Sequence, residues 1–217
     1  MLRRTTSFRI FVEEMMKKPF AVFAAAVAVF FLTLPDHQAL AGEPTEKIKE
    51  TTNRILSIVT NPDLKAPGKE AERKKSIRKA VDERFDWEEM ARRSLGTQWG
   101  ARTPEEKKHF VDLFGDLLER TYLDRVEGYS GEKVYYLGER LDGQYAEVDV
   151  KIVTTQNTEV PVKYRLKKKS NDWLVYDISI AGVSLVNNYR VQFSSILAKS
   201  TYQDLVKQLQ KKVAEGN

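Results

Sequence analysis

Between Lys133 and Ile180 apolar residues recur at every second position, whereas before and after this stretch they recur at every third or fourth. That change of period decides the fold class, because alternation belongs to half-buried strands and the longer spacing to amphipathic helices. Four strands are predicted, at about Lys133 to Leu141, Tyr145 to Thr155, Val160 to Lys169 and Trp173 to Ile180. Asp142-Gly143, Gln156-Asn157 and Ser170-Asn171-Asp172 supply the turn chemistry that joins antiparallel neighbours, so a four-stranded meander is the economical topology. Ala146, Val148, Val150 and Ile152 oppose Glu147, Asp149 and Lys151, and Val160, Val162, Tyr164 and Leu166 oppose Lys163, Arg165 and Lys167. One face therefore meets water and the other meets helices. Trp173 and Val175 alternate with Leu174, Tyr176, Ile178 and Ile180, so the fourth strand starts apolar on both sides.

The helices lie on either side of this block. Ile48, Thr52, Ile55, Leu56 and Val59 mark one from Pro44 to Thr60, and Ile77, Ala80 and Val81 a highly charged second one from about Gly68 to Arg84. Asp86-Trp87-Glu88-Glu89 has the form of a capping box opening a short helix to Leu95, and Thr103-Pro104-Glu105-Glu106 opens a long one to about Glu127. That long helix carries the widest apolar face in the chain, Phe110, Leu113, Phe114, Leu117, Leu118, Thr121 and Tyr122. Gly182 is read as the end of the sheet, followed by helices from Leu185 to about Ala198 and from about Thr201 to Val213. The class is α+β, with helices packed on one face of a four-stranded antiparallel sheet.

The first forty residues have a different character. A basic head with Arg3, Arg4, Arg9, Lys17 and Lys18 precedes an uncharged run of 15 residues from Phe20 to Leu34, and Ala39-Leu40-Ala41 offers a small-x-small cleavage site. The run falls short of the roughly 20 residues that cross a bilayer as a helix. Residues 1–41 are thus read as a secretory signal peptide and 42–217 as a single exported domain. Cleavage removes five basic and three acidic residues and takes the net charge from +5 to +3, too mild a bias to suggest nucleic acid as a partner. The chain has no cysteine, so its core holds it together without disulfides, and His109 is the sole histidine beyond residue 41. A cysteine nucleophile is excluded, and metal sites built on His and Cys are not expected.

Catalytic equipment is sparse. There is no Gly-rich phosphate loop, no G-x-S-x-G and no H-E-x-x-H. Asp177 stands out as a carboxylate inside a strand of apolar neighbours, which reads as an Arg-paired or surface group before it reads as a catalytic one. His109 sits on the exposed side of its helix, and Lys167-Lys168-Lys169 reads as a solvated strand end. A small α+β hydrolase or isomerase using Asp177 or Tyr189 stays open as an alternative, as does an envelope adaptor with a fully packed interior. Periodicity does not distinguish a packed core from a cavity.

The stretch from Phe85 to Phe193 resembles the MlaC-type periplasmic phospholipid carriers, also called the toluene-tolerance auxiliary family. The resemblance runs through Phe85-Asp86-Trp87-Glu88-Glu89-Met90-Ala91, Leu95-Gly96, Trp99, Thr103-Pro104-Glu105 and the Gly128-Tyr129-Ser130-Gly131 turn. It is most specific in Val162-Lys163-Tyr164-Arg165-Leu166, in Trp173-Leu174-Val175-Tyr176-Asp177-Ile178, and from Gly182-Val183-Ser184-Leu185 through Asn188-Tyr189-Arg190 to Phe193. Residues 43 to 80 match poorly.

The resemblance implies a periplasmic shuttle, not an enzyme, that holds a diacyl phospholipid as cargo and uses no cofactor. Its implied partners are an inner-membrane ABC transporter complex with a lipid-binding substrate domain and an outer-membrane lipoprotein complex. It further implies an apolar cavity between sheet and helices. Candidate lining residues within the matching segments are Phe110, Phe114, Leu117, Leu118 and Tyr122 from the long helix. The sheet offers Val148, Val150, Val162, Tyr164, Tyr176 and Ile178, and the segment after it Val183, Val186, Tyr189 and Phe193, with Arg190 as a head-group or structural hydrogen-bond donor. Two chains of roughly 16 carbons represent on the order of 25 kcal/mol of transfer free energy, which such a carrier has to offset in large part.

Overall fold

The long Thr103 helix and the strand meander form where the sequence places them, and the departures lie at their junctions. The computed structural model describes residues 42–215, so the signal segment read over 1–41 lies outside the described residues. In chain order the helices are α1 (Glu43–Thr60), a single turn α2 (Pro62–Lys65), α3 (Glu70–Asp82), α4 (Trp87–Leu95), a 3₁₀ segment (Gly96–Ala101) and α5 (Pro104–Glu127). The strands β1 (Lys133–Asp142), β2 (Tyr145–Val153), β3 (Glu159–Lys169), β4 (Asp172–Ile180) and β5 (Val183–Ser184) follow, then α6 (Leu185–Leu197) and α7 (Tyr202–Glu215).

The sheet runs β1-β2-β3-β4-β5 with every neighbouring pair antiparallel. It therefore has five strands, not four. Ala181 and Gly182 both take positive φ (49° and 82°), the geometry of a two-residue hairpin turn, and return the chain so that Ser179 pairs with Ser184 and Ile180 with Val183. The glycine expected to end the sheet is the corner of one more short strand.

Cap chemistry divides the two predicted boxes. Thr103 accepts from Glu106 N (3.2 Å) while Glu106 Oε2 accepts from Thr103 N (3.0 Å), a complete reciprocal box. Asp86 accepts from Glu89 N at 3.1 Å, but the Glu89 carboxylate turns instead to Arg92 and Arg93. Two guanidinium donors outcompete one backbone N–H. At α1 the cap comes from across the molecule: Glu139 of β1 accepts from Thr45 N (3.0 Å) and Thr45 Oγ1 (2.6 Å).

Two bulges interrupt the sheet. In β1 Leu137 is the extra residue between Tyr136 and Gly138, and in β4 Tyr176 is the extra residue between Val175 and Asp177, opposite Arg165 and Leu166. The second bulge reverses the facing of β4. Ile178 and Ile180 share the inner face with Tyr164 and Val162, but beyond the bulge the inward residues are Val175 and Trp173. The free edge of Val175 is taken up by the chain before α4, through Val175 N to Arg84 O (2.8 Å) and Asp86 N to Val175 O (2.9 Å).

Three apolar groups fill the interior. Ile48 of α1 packs with Ala146, Val148, Val150, Val162, Leu166, Trp173 and Val175 on the inner sheet face. Val59, Ile77 and Leu123 join α1, α3 and α5. Phe110, Phe114, Tyr189 and Phe193 form an aromatic group between α5 and α6, with centroids 5.3–6.1 Å apart in stacked, edge-on and tilted contacts. Buried Arg84 ties α1 to β4 through Thr51 Oγ1 (3.1 Å), Asp172 Oδ1 (3.1 Å) and Trp173 O (2.7 Å).

In urea unfolding, Phe114→Ala is expected to lose about 3–5 kcal/mol of stability, because its ring is fully enclosed by other rings. Thr103→Ala should lose about 1 kcal/mol with the cap. Val191→Ala, at a position 62% exposed, should stay within about 0.5 kcal/mol of the parent.

Candidate functional site

Alternation along the central strands puts Val148 and Val150 of β2, Val162 and Tyr164 of β3, and Ile178 of β4 on one apolar face, and the register carries them into a single cluster. The same face extends beyond the residues chosen from the sequence, to Phe85, Val134, Tyr136, Ile152 and Val160. Val134 and Tyr136 share parity in β1, and that parity is the signal that finds them. The face is unevenly covered: Val148, Val150, Val162 and Leu166 are buried, while Phe85, Val134, Tyr136, Ile152, Val160, Tyr164 and Ile178 keep part of their surface.

Four tyrosines of the interior have hydroxyls shifted by burial. Burial pushes the Tyr164 hydroxyl up to about 12, with Tyr136 adding to the rise. Burial also raises Tyr136, against the Thr52 hydroxyl and the Lys49 charge. Tyr122 of α5 and Tyr189 of α6 are likewise raised by burial, and Tyr122 adds to the shift of Tyr189.

Phe110, Phe114, Tyr189 and Phe193 come together as the aromatic group between α5 and α6, each 2% exposed or less, with Leu117 and Leu118 buried beside them on α5. Val186 is buried at the start of α6, and Val183 is half-buried in β5. Tyr176 does not join either set. The β4 bulge sends its ring to the outer side of the sheet, 6.0 Å from the Tyr145 ring and 4.2 Å from the Arg93 guanidinium carbon.

Tyr176 borders an open cleft of about 810 Å³ with Arg92, Arg93, Arg165, Asp177, Asn187 and Arg190. Most of its charge is answered internally. Asp177, 4% exposed, accepts from Arg165 Nη1 (2.8 Å), Ser184 Oγ (2.7 Å) and Val186 N (3.1 Å), so it fixes the start of α6 to the sheet. A carboxylate with three donors is a structural anchor, the Arg-paired reading of the sequence. A second open cleft, of about 680 Å³, lies against the charged outer face near Glu147, Lys163 and Arg165. Charged and polar groups dominate both clefts, although Val150 and Val162 border the second. His109 is exposed, and its ring Nε2 lies 3.4 Å from Gln210 Nε2. Lys168 and Lys169 reach Glu43 (3.4 Å) and Asp86 (3.2 Å), while Lys167 lies over the Tyr145 ring. Among the described residues no group of three or more His, Cys, Asp or Glu side chains could hold a metal ion, and no helix is long and apolar enough to cross a membrane.

Glu89 is the acid most strongly perturbed beside the cleft. The hydrogen bond from Arg92 holds its carboxyl at about 2, against burial and with help from Arg93. A depressed folded-state pKa contributes stability above the ordinary value of 4.5 and loses it as pH falls through about 2. Glu89→Gln should therefore be less stable than the parent at pH 7, and the gap between their urea midpoints should close between pH 4.5 and 2.

Comparison with known proteins places this geometry. A family model described as MlaC protein matches residues 49–211. The binding protein MlaC of the intermembrane phospholipid transport system of Haemophilus influenzae is 27% identical over 126 residues, 56% of this chain and 59% of the relative. Toluene tolerance protein ttg2D of Pseudomonas putida is 23% identical over 99 residues, 45% of this chain and 46% of the relative. The aligned region thus spans about three fifths and about half of these curated relatives. A phospholipid-binding protein from Ralstonia solanacearum, solved in complex with a phospholipid, superposes with a TM-score of 0.73 at 26% identity, covering 80% of this chain and 98% of that one. With three quarters of its length inside the family model, the chain belongs to the MlaC protein family.

Proposed function

We propose that this chain binds a phospholipid non-covalently between the inner sheet face and the helices, as the carrier component of an intermembrane phospholipid transport system. The observation that carries this reading is the uneven cover of the inner face. Seven apolar side chains packed against that face keep reachable surface, and burial raises the Tyr164 hydroxyl among them. Apolar surface left partly uncovered beneath the helices suits acyl chains. Membership of the family and the likeness to a protein solved with a phospholipid support the same ligand.

In this reading the protein works in the periplasm after removal of residues 1–41, and performs no covalent chemistry. It takes its cargo between an outer-membrane lipoprotein complex and an inner-membrane ABC transporter complex. The lining set comprises Tyr136, Tyr164 and Ile178 from the sheet with Tyr122 from α5, backed by the buried Val148, Val150, Val162, Leu117 and Leu118, and Val183 and Val186 stand near its edge. Phe110, Phe114, Tyr189 and Phe193 serve as the rigid wall behind it, since each ring is already enclosed by others.

Organic extraction of the purified protein followed by mass spectrometry is expected to yield phospholipid at near-stoichiometric amounts. Ile178→Asn should reduce the lipid retained by about tenfold, whereas Leu137→Asn, at an exposed bulge residue, should leave it unchanged. No extractable lipid together with no uptake from vesicles would overturn the reading.

A further inference from the structure

Among the described residues, the buried side-chain polar atom left without a hydrogen-bond partner is the hydroxyl of Tyr136. The Thr52 hydroxyl lies near enough to draw its pKa down but not at full hydrogen-bond distance and angle. An unpaired buried hydroxyl is costly, and a phenylalanine would fill the same inner-face position without that cost. Tyr164 lies two strands away on the same face, partly buried against the same cluster, with its hydroxyl raised by burial and by the nearby Tyr136. Both side chains thus bring a hydrogen-bond donor to a face that alternation requires only to be apolar.

Their surroundings are graded. Lys49 Nζ, on a side chain 32% exposed and paired with Glu46 at 2.7 Å, stands 5.5 Å from the Tyr136 ring centre. Tyr136 is therefore where the apolar face meets solvent and a cation. Val150 and Val162 lie across from it in register, and Val148, Tyr164 and Ile178 make up the next row. A diacyl glycerophospholipid has its groups in the same order: an anionic phosphate, then two ester carbonyls, then hydrocarbon. The carbonyl oxygens accept hydrogen bonds and have none to donate, so a tyrosine O–H is their complement.

We propose that Tyr136 and Tyr164 donate hydrogen bonds to the ester carbonyl oxygens of the bound phospholipid, so that the site selects ester-linked chains over ether-linked ones. The inference rests on the phospholipid reading and names the groups that set its specificity. An ether-linked analogue of the same head group and chain length fills the same volume but leaves both hydroxyls without carbonyl acceptors.

The test offers delipidated protein vesicles containing equal amounts of a diacyl phosphatidylglycerol and its dialkyl ether analogue, and counts both in the recovered protein by mass spectrometry. The parent is expected to hold about fivefold more diester, the effect of one net hydrogen bond. Tyr136→Phe should move the ratio toward one and Tyr136→Phe/Tyr164→Phe should bring it there. Tyr135→Phe, 44% exposed and opposite in parity, should keep the parental ratio. Because the readout is a ratio, a general loss of stability lowers both lipids and leaves it in place. A parental ratio of one, or a preference that survives in the double variant, overturns the proposal while leaving the phospholipid reading standing. Uptake of neither lipid by the parent overturns both.

Discussion

One extra residue in β4 positions both helical layers. A strand alternates strictly, so inserting Tyr176 between Val175 and Asp177 lets Ile178 and Val175 face the same interior although they are three positions apart. It also turns Asp177 to the outer side, where Arg165, Ser184 and the backbone of Val186 hold it and thereby fix the first turn of α6. On the opposite side of the bulge, Val175 exchanges backbone hydrogen bonds with the residues that lead into α4. Without the bulge, the sheet would present a buried carboxylate to its own apolar face, and neither helix would have its anchor.

Charge is placed where it does not disturb that interior. Glu147 gathers Arg140, Lys163 and Arg165 on the outer face at 2.6–3.2 Å, and Glu89 gathers Arg92 and Arg93 beside β4. These pairs are partly exposed and individually weak. Their service is geometric: they keep long cationic side chains along the solvated side of the sheet, and leave the inner face mostly apolar. Polarity is brought inward by Glu139, in register with Val148 and capping α1, and by the tyrosines Tyr136 and Tyr164.

The helical side is rigid in one half and open in the other. Between α5 and α6, four buried rings interlock, and a close-packed aromatic block resists deformation. Over the sheet, α1 packs Ile48 into the inner-face cluster, and large side chains around it stay partly uncovered. A rigid wall facing a loosely covered sheet is a suitable arrangement for a ligand that is long, flexible and apolar.

Much of this was legible in the residues. Period-two alternation located the strands, and Thr103-Pro104-Glu105-Glu106 located the start of the long helix, because both signals arise from local geometry that does not depend on the rest of the chain. Asp177 was recognisable as a surface-facing or Arg-paired carboxylate, because an unpaired acid in a strand core is too costly to keep, and the structure selects the Arg165 pair. The short β5, the failed reciprocal cap at Asp86, the outward turn of Tyr176 and the capping of α1 by Glu139 were not legible. Each depends on a partner distant in the sequence, or on a single inserted residue whose effect appears only when the neighbouring strand fixes the register. The sequence by itself determined the main helices and the four long strands, the polarity of most faces and the lack of catalytic motifs. Only the tertiary structure decided which apolar residues are enclosed and which remain reachable, because that follows from how far the helices cover the sheet and not from what any residue is.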